Sequence, residues 1–433
     1  MAEKVLILGL SKSGIAAAKF AASKGCDVYL TETKNEVNLE QVKELQNLGV
    51  KVEHGSHSEE FISGTSFAVT SPGIPPKSEI FRRLNEKNIK IISEVEFAYL
   101  NTKIPFIAIT GTNGKTTTTA LVSHILSKKF SAPVCGNIGV PPTSLIEENH
   151  DFLVCEISSY QAQMTEKFKA KIACWTNFTP DHIDWHGGLE NYFNAKAKIF
   201  LPPQEPEFAI LNAQDTKLKE FSKQCKNVIF FDDGNDCGIK NNSIFYKGEE
   251  IISLKDCPLV GHHNYQNIMC GIIIAKLVGM NNSDIREQIM SFRAPEHRLE
   301  KVREMDGITF FNDSKATNPE ASIVAIDSFN NQNVALILGG RDKNTDLTEM
   351  CHSINKHIKT VLLIGEATER FEENLKKNGF SNIIKEHTME DAIDKAISLK
   401  PDVVLLSPAC ASFDMFKSYE HRGEVFKDYV LSK

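Results

Sequence analysis

The sequence lacks any apolar segment long enough to cross a lipid bilayer. A membrane-spanning helix needs roughly 18 or more consecutive apolar residues. The amino-terminal stretch MAEKVLILGLSKSG turns polar after six apolar residues, and no later run approaches the required length. We therefore expect a cytoplasmic protein with no membrane partner.

Paired cysteines and basic runs are missing as well. The ten cysteines are scattered without a C-x-x-C pair, and Cys155, Cys174 and Cys270 lie in apolar segments. A thiol in such a segment packs as a small hydrophobic group, so we expect neither a disulfide framework nor a zinc site. The net charge of −7 argues against nucleic acid as a partner.

The chain does contain a long alternation of β-branched runs with segments of helical period. This alternation is typical of parallel sheets covered by helices, so the predicted fold class is α/β. A length of 433 residues exceeds what one hydrophobic core usually serves. We predict three domains, over residues 1–93, 94–293 and 294–433. The clearest strands run from Val5 to Leu8, Asp27 to Leu30, Phe152 to Cys155, Ile172 to Thr176, Ile308 to Phe311, Val334 to Leu338, Thr360 to Ile364 and Val403 to Leu406.

The segment IPFIAITGTNGKTTTTALV joins an apolar strand to a glycine-rich turn and then to a helix. Such a turn directs backbone N–H groups and a helix N-terminus at one spot, where Lys115 adds a positive charge and the Thr116 hydroxyl can bind a metal. Ile109 stands where the usual phosphate loop has its first glycine, so Gly111 is expected to make the turn. The segment predicts a nucleoside triphosphate site, with a plain tight turn as the alternative.

The first strand ends in a second glycine-containing turn. Gly9 and Gly14 occupy the outer positions of a dinucleotide fingerprint and Glu32 follows about twenty residues later, but Ser11 replaces the middle glycine. That replacement weakens the case for NAD, and a sugar nucleotide or another phosphate ligand fits as well. A Rossmann-like domain without a ligand in this loop is the alternative. The Ser71-Pro72-Gly73 turn is predicted to form the opposite wall of the pocket.

Polar residues follow the strands of the central domain, where ligands of α/β proteins collect. Glu156 directly follows an apolar strand and is predicted to hold Mg²⁺; a salt bridge is the alternative. Of the two histidines after the next strand, His182 is favoured over His186 because it lies nearer the strand end. Asn264 and Asn267, three residues apart at a helix start, are candidates for reading a base edge, although capping by Asn264 is the simpler interpretation.

The last domain has polar groups after three of its strands. Asp313 leads the run DSKATN, which is also compatible with a surface turn, and the turn GGRDK resembles an anion nest. Lys343 and Ser412, at two separate strand ends, suggest a small anionic substrate. His297 and Arg298 lie at a domain junction, where an arginine often only bridges domains.

Ten motifs in one order resemble those of the Mur ligases. They are TGTNGKTTT, GNIG, EISSYQ, TNFTPDHIDWHG, YFNAKAKIF, GHHNYQN, PEHRLE, NDSKATNP, LGGRDK and SPACASFD, and they span nearly the whole chain. The short length and the GLSKSG, GGRDK and SPACASFD motifs are similar to those of the members that add D-glutamate to UDP-N-acetylmuramoyl-L-alanine.

The resemblance implies a Rossmann-like N-terminal domain for the UDP substrate, a central P-loop ATPase-like domain with a parallel sheet, and a C-terminal Rossmann-like domain for the incoming amino acid. The implied reaction is ATP-dependent amide formation through an acyl phosphate, in cytoplasmic peptidoglycan precursor synthesis. ATP, UDP-N-acetylmuramoyl-L-alanine and D-glutamate are the implied substrates, and two Mg²⁺ ions are the implied cofactors. We expect a monomer.

The resemblance also implies a role for individual residues. The catalytic residues are Lys115, His182 and Lys196. ATP contacts are implied for Gly111, Thr112, Asn113, Gly114, Lys115, Thr116, Thr117, Asn264, Asn267, His297, Arg298 and Asp313. UDP-substrate contacts are implied for Ser13, Glu32, Thr33, Lys34, Ser71, Gly73, Asn137 and His182, and D-glutamate contacts for Thr317, Lys343, Ser412 and Tyr419. The first metal is assigned to Thr116 and Glu156, and the second to His182 and a carbamate on Lys196.

Departures from the family pattern are small. Ser11 and Lys12 replace the commoner residues of the first turn, and Tyr419 stands where many relatives have phenylalanine. They affect the details of uridine binding rather than the reaction. The motifs leave two kinds of rival function open. A folate polyglutamate ligase shares the later motifs but usually lacks a separate first domain, and an NAD-linked dehydrogenase or nucleotide-binding regulator could use the same phosphate turns.

Overall fold

The structure is a computed structural model that describes residues 2–234, 236–259, 261–329, 332–342 and 345–433. The chain divides into two compact units. One comprises Met1–Asp256 with Gln266–Met290, and the other comprises Cys257–Tyr265 with Ser291–Lys433.

The amino-terminal part of the first unit is a parallel sheet covered by helices. Its strands are β1 (Lys4–Leu8), β2 (Asp27–Glu32), β3 (Lys51–His54), β4 (Phe67–Thr70) and β5 (Lys90–Ser93), and its helices are α1 (Lys12–Ser23), α2 (Leu39–Asn47), α3 (Glu59–Ile62), α4 (Glu79–Glu86) and α5 (Glu94–Leu100). The strand order is β3-β2-β1-β4-β5. Because the connections leave β1 and β4 in opposite directions, the crevice beyond the carboxyl ends of these two strands is where such a sheet binds ligands.

The middle part of the chain contains β6 (Phe106–Thr110), β7 (Val134–Gly136), β8 (Leu153–Glu156), β9 (Ile172–Trp175), β10 (Phe208–Asn212), β11 (Val228–Phe231), β12 (Cys237–Lys240), β13 (Ser243–Tyr246) and β14 (Glu249–Ser253). Its helices are α6 (Lys115–Leu126), α7 (Ser159–Gln163), α8 (Ile183–His186), α9 (Leu189–Ala197), α10 (Thr216–Phe221), α11 (His262–Leu277) and α12 (Asn282–Ser291). The strand order is β14-β13-β12-β11-β10-β9-β6-β8-β7. β6, which precedes the phosphate loop, therefore lies between β9 and β8, with the ends of all three strands at one edge.

The second unit is built on a sheet of order β15-β16-β20-β17-β18-β19. These strands are β15 (Glu300–Met305), β16 (Ile308–Asn312), β17 (Val334–Gly339), β18 (Thr360–Ile364), β19 (Ile383–Lys385) and β20 (Val403–Leu406), and the helices are α13 (Pro319–Ile326), α14 (Thr348–His357), α15 (Thr368–Lys377), α16 (Met389–Ser398) and α17 (Tyr419–Ser432). Alternate residues of the central strands pack into hydrophobic clusters on the two faces. Both faces are covered, which explains the continuous apolar runs of these strands.

The predicted α/β class is confirmed, but the expectation of parallel strands almost everywhere was wrong in two places. β12, β13 and β14 form antiparallel hairpins, and β15 pairs antiparallel with β16. Each hairpin has a two-residue turn with positive φ: Asn241-Asn242, Lys247-Gly248 and Asp306-Gly307. Such turns match the twist of antiparallel strands, so the sequence carried this signal in its Asn and Gly residues.

In the described part of the chain, no helix combines the length and the apolar character that a membrane span requires. All ten cysteines are free thiols.

A buried carboxyl group joins the first sheet to the second within the first unit. Glu94, at the start of α5, has a residue exposure of 2%. Its Oε1 accepts hydrogen bonds from the backbone N–H and the hydroxyl of Thr143, at 2.7 and 2.5 Å. Burial raises the pKa of Glu94 to about 7, and the hydrogen bonds from Thr143 only partly oppose that rise.

This shift predicts a specific pH dependence of stability. The native state holds a proton on Glu94 between its ordinary pKa of 4.5 and about 7, and the unfolded chain does not, so stability falls as pH rises through that window. Glu94→Gln should remove this fall and gain about 3 kcal/mol relative to wild type between pH 4.5 and pH 8. Urea unfolding followed by tryptophan fluorescence measures this difference, because Trp175 and Trp185 both lie in the first unit.

Glu86→Gln is the matched control, since Glu86 is exposed on α4 and pairs with Arg82. We expect its pH profile to parallel that of the wild type. A Glu94→Gln profile that also runs parallel to wild type would contradict the raised pKa.

Candidate functional site

The phosphate loop leaves β6 through Gly111, as the sequence predicted. The φ of Gly111 is +147°, and a Cβ there would lie 1.9 Å from Thr176 Oγ1. Gly114, with φ +81°, caps the N-terminus of α6, and a Cβ there would lie 2.6 Å from Asn267 Oδ1. Glycine is therefore required at both positions by backbone conformation and by space.

Residues after β9 hold the phosphate loop in place. Thr176 Oγ1 donates to Asn113 O at 2.6 Å, and Asn177 binds both the N–H and the carbonyl of Asn113, at 2.8 and 3.1 Å. The hydroxyl of Thr112 donates to Thr179 O at 3.1 Å. The conformation of the loop therefore depends on a segment more than sixty residues away in the chain.

Lys115 begins α6, and its side chain folds back over the loop. Its Nζ donates to Gly111 O at 3.0 Å and to Thr112 O at 2.7 Å. The residue is half-buried. A cation held at the mouth of a glycine-rich turn is suited to neutralise phosphate oxygens.

Glu156, the last residue of β8, is the buried carboxylate beside this loop, with 1% exposure. Thr116 Oγ1 donates to its Oε2 at 2.9 Å, and Asn137 Nδ2 donates to its Oε1 at 2.8 Å. A hydroxyl and a carboxylate in contact at a strand end are hard oxygen ligands of the kind Mg²⁺ prefers, and the arrangement fits such an ion.

Lys196 lies on α9 with 1% exposure, which is unusual for a lysine. Its Nζ donates to Gly111 O at 2.7 Å and lies 4.9 Å from the centre of the Tyr192 ring. Burial lowers the pKa of Lys196 well below its ordinary value, and the positive charge of Lys115 lowers it further. Burial therefore favours the neutral amine over the ammonium at this position, directly behind the phosphate loop.

His182 caps the N-terminus of α8 in a left-handed conformation, with φ +51°. Its Nε2 lies 3.4 Å from Asp181 Oδ2, and its ring contacts Tyr160 and Tyr192. His182 and Lys196 thus flank the same Tyr192 ring. In the described residues no group of three or more His, Cys, Asp or Glu side chains is arranged to hold a metal ion.

His186 is bound within the protein rather than solvated. Its Nε2 lies 2.9 Å from Ser159 Oγ, and its ring stacks on Tyr160 at 5.5 Å. Burial lowers the pKa of His186 to about 4, and the nearby His182 and Lys196 add to that effect.

At the crevice of the first sheet, the loops after β1 and β4 meet through serine hydroxyls. Ser11 Oγ lies 2.7 Å from Ser71 Oγ and 3.0 Å from Ser13 Oγ. Ser11 is also the N-cap of α1, accepting from Gly14 N–H at 3.3 Å, which gives the departure from the glycine fingerprint a structural role. A Cβ at Gly14 would lie 2.0 Å from Gly9 O, so this glycine is needed for helix–strand packing.

Glu32, at the end of β2, binds the backbone of the same crevice. Its carboxylate accepts from Leu10 N–H at 2.9 Å and from Lys34 N–H at 3.0 Å. His57, which the sequence did not indicate, lies between the hydroxyls of Thr31 and Thr33, at 2.7 and 2.9 Å. Lys34 and Gly73 are exposed.

In the second unit, Asp313 follows β16 and is buried. Its Oδ2 accepts from Ser407 Oγ at 2.8 Å, and its Oδ1 accepts from Leu299 N–H at 3.2 Å. Burial raises the pKa of Asp313 to about 7. His297 Nδ1 lies 2.9 Å from Asn312 Nδ2 and leaves no room for a side chain at Gly423.

The residues assigned to the amino acid also lie in this unit. Ser412 is buried after β20, and Tyr419 begins α17, where its ring lies 5.0 Å from Lys315 Nζ. Thr317 is half-buried in the turn before α13. Lys343 lies outside the described residues.

Asn264 and Asn267 both lie inside α11, which begins at His262. Asn264 is therefore not the N-cap, so that simpler interpretation was wrong. Asn267 Oδ1 accepts from Thr118 Oγ1 at 3.0 Å, behind the phosphate loop. Asn264 lines a cavity of about 720 Å³ in the second unit, together with Tyr265, Phe292 and Phe311.

Comparison with known proteins finds matches to one family along most of the chain. Residues 3–93 match the Mur ligase MurD-like N-terminal domain, residues 109–275 the Mur ligase middle domain, and residues 297–410 the Mur ligase glutamate ligase domain. The UDP-N-acetylmuramoylalanine--D-glutamate ligase of Caldanaerobacter subterraneus subsp. tengcongensis is 37% identical, with 99% of this chain and 98% of that protein aligned.

The chain belongs to the Mur ligase family.

Further relatives agree. The enzyme of the same name from Koribacter versatilis is 39% identical, with 99% of this chain and 97% of that protein aligned. Among solved structures, the UDP-N-acetylmuramate-alanine ligase of Thermotoga maritima has a TM-score of 0.62 at 20% identity and covers 99% of this chain and 100% of its own. MurF from Acinetobacter baumannii also has a TM-score of 0.62, at 17% identity, over 99% of this chain and 93% of its own. These structures show the shared three-domain α/β fold of the Mur ligases.

In this Mur ligase, the sequence predictions did not include the residues that hold the phosphate loop and Lys196 in place. Thr176 and Asn177 hold the phosphate loop, and Tyr192 contacts Lys196 and lies 3.2 Å from the Thr112 hydroxyl. The TNFT motif at the end of β9 was a usable signal for the first two. Tyr192 opens the YFNAKAKIF motif but was assigned no role, because a tyrosine on a helix usually indicates only packing.

Proposed function

We propose that this Mur ligase joins D-glutamate to UDP-N-acetylmuramoyl-L-alanine, with cleavage of ATP to ADP and phosphate, in cytoplasmic peptidoglycan precursor synthesis. The observation that carries the proposal is similarity over the full length to ligases of that name, at 37–39% identity. The phosphate loop beside a buried carboxylate supports the ATP-dependent part of the reaction.

The reaction begins by activating a carboxylate, because an amine cannot displace oxide from it at neutral pH. The γ-phosphoryl group of ATP passes to the alanine carboxylate and gives an acyl phosphate with release of ADP. The neutral amine of D-glutamate then attacks the carbonyl carbon, and the tetrahedral intermediate expels phosphate. The charge that gathers on the transferring phosphoryl group is the main electrostatic problem, and Lys115 is placed to offset it.

Two sets of residues would hold Mg²⁺ in this proposal. Thr116 and Glu156 fit the first ion, since their oxygens are in contact at the end of β8. His182 and a modified Lys196 are assigned to the second. When bound, the ions would neutralise phosphate charge and orient the phosphoryl group. The protein's own contribution is to hold the oxygens of Thr116 and Glu156, both buried, together at one edge of the sheet.

We further propose that Lys196 carries a carbamate. Its neutral amine adds to the carbon of CO₂: a C–N bond forms as one C=O π bond opens, and the nitrogen loses one proton to solvent. The neutral side chain thereby becomes an anionic oxygen donor. An unmodified ammonium would repel a metal ion and could not bind it. The lowered pKa supports the chemistry, because only the neutral amine reacts with CO₂.

The two substrates are assigned to residues of different units. The residues proposed to bind the UDP substrate are Ser13, Glu32, Thr33, Lys34, Ser71, Gly73, Asn137 and His182, and those proposed to bind D-glutamate are Thr317, Lys343, Ser412 and Tyr419. The base and ribose of ATP are assigned to Asn264, Asn267, His297, Arg298 and Asp313. We also propose three domains, over residues 1–93, 94–293 and 294–433, and a monomeric protein.

An assay of ADP release over a panel of amino acids tests the function. We expect release only when UDP-N-acetylmuramoyl-L-alanine and D-glutamate are both present, with little or none for L-glutamate, L-lysine or diaminopimelate. Omitting each substrate in turn is the control. Preference for L-lysine or diaminopimelate would reject the proposed substrate, and release that depends on a folate would favour the folate polyglutamate ligase.

A further inference from the structure

Arg422, one turn into α17, is a buried arginine with 1% exposure. Its guanidinium donates to Ser314 Oγ and O at 2.9 and 2.8 Å, to Cys410 O at 3.1 Å and to Ala411 O at 3.4 Å. All of these acceptors are neutral oxygens. Burial disfavours the charged form of this guanidinium, and the nearby Cys410, Asp414 and Asp313 partly offset that effect.

The bonds to Ser314 reach two of the segments assigned to the amino acid. Ser314 opens the turn that leads to Thr317, and its hydroxyl donates to Tyr419 O at 2.8 Å while it accepts from Arg422. The guanidinium therefore fixes the turn after β16 to the start of α17.

The bonds to Cys410 O and Ala411 O reach the segment after β20 that contains Ser412. Ala411 O accepts from Arg341 N–H at 2.8 Å as well as from Arg422, and Ser412 follows directly. A Cβ at Gly340 would lie 2.3 Å from Ala411 O and 3.1 Å from Arg422 Nη1. The backbone of the turn after β17 thus packs against the guanidinium.

We propose that Arg422 is the positioning residue of the amino-acid site. The proposal rests on the proposed function. One planar group with several directed N–H donors joins the turns after β16, β17 and β20 to α17, which a lysine ammonium could not do with the same geometry. Burial lowers the pKa of Arg422 to about 10, so the guanidinium remains protonated at neutral pH.

Steady-state kinetics of two variants tests the proposal. Arg422→Lys keeps the charge and loses the planar fork, and Arg422→Met keeps the volume and loses the charge. We expect KM for D-glutamate to rise about 10-fold in the first and about 100-fold in the second, with KM for ATP changed by less than about twofold. A purely structural defect would move both constants together.

Arg303→Met is the matched control, because Arg303 also donates to backbone carbonyls of α17, those of Val430 and Leu431, at 3.3 Å. We expect its kinetic constants to match wild type. If Arg422→Met does not fold, Ser314→Ala carries the test, with an expected rise of about fivefold in KM for D-glutamate alone.

An unchanged KM for D-glutamate in Arg422→Lys and Ser314→Ala, or equal changes for D-glutamate and ATP, overturns the inference. Wild-type protein that releases no ADP with D-glutamate rejects the proposed function instead. The two failures are therefore distinguishable in one set of assays.

Discussion

Lys115→Ala is expected to lower kcat by about a thousandfold, the upper range for losing one preorganised group that stabilises transition-state charge. The reason is local. Lys115 Nζ lies over the phosphate loop, 3.0 and 2.7 Å from the carbonyls of Gly111 and Thr112, and an ammonium there can exchange those carbonyls for phosphate oxygens. Alanine favours the helix that begins at this position, so the fold should be retained. ADP release and circular dichroism measure the two effects.

Lys129→Ala is the control for this experiment. Lys129 follows the same helix, is exposed, and donates only to Gly279 O, at 3.3 Å. Its kcat should stay within about twofold of wild type, as for most surface substitutions. Near wild-type turnover in Lys115→Ala would reject the ATP site.

Lys196→Ala is expected to lower activity about a hundredfold or more, as for losing a group that supports a metal. Short carboxylates such as acetate should partly restore it by supplying the missing oxygen ligand. Depletion of CO₂ should lower the activity of the wild type, and acidification should do the same, because carbamate formation releases a proton. The carbamate itself can be detected by ¹³C NMR after labelling with ¹³CO₂.

Lys198→Ala is the matched control for Lys196. Lys198 is also partly buried and donates to Gln163 O at 3.0 Å, away from the phosphate loop. It should lose much less activity and gain nothing from acetate. Full activity in Lys196→Ala, or a structure at neutral pH with both metals beside a bare ammonium, would contradict the carbamate.

The phosphate loop is a feature that neighbouring residues in the sequence are sufficient to predict. The strand, the turn at Gly111 and the helix starting at Lys115 all follow from residues that are neighbours in the chain, and the structure has them where predicted. The predicted bounds of β18 and β20 also agree with the structure, because the apolar run of each strand defines both of its ends. The antiparallel strands β12 to β15 were missed although their Asn and Gly turns were visible, because alternating runs were interpreted as parallel units.

The sequence by itself therefore determined the α/β class, the phosphate loop and, through its motifs, the Mur ligase family. Only the tertiary structure decided which distant side chains meet. Glu156 contacts Thr116 because β8 pairs with β6. The pKa of Lys196 is lowered because α9 buries its side chain against Gly111 O, 85 residues away. Arg422 joins Ser314 and Ala411 because the strand order brings their turns together. The burial of a single polar side chain and the order of strands in a sheet depend on long-range packing. Neither can be predicted from the local periodicity of the sequence.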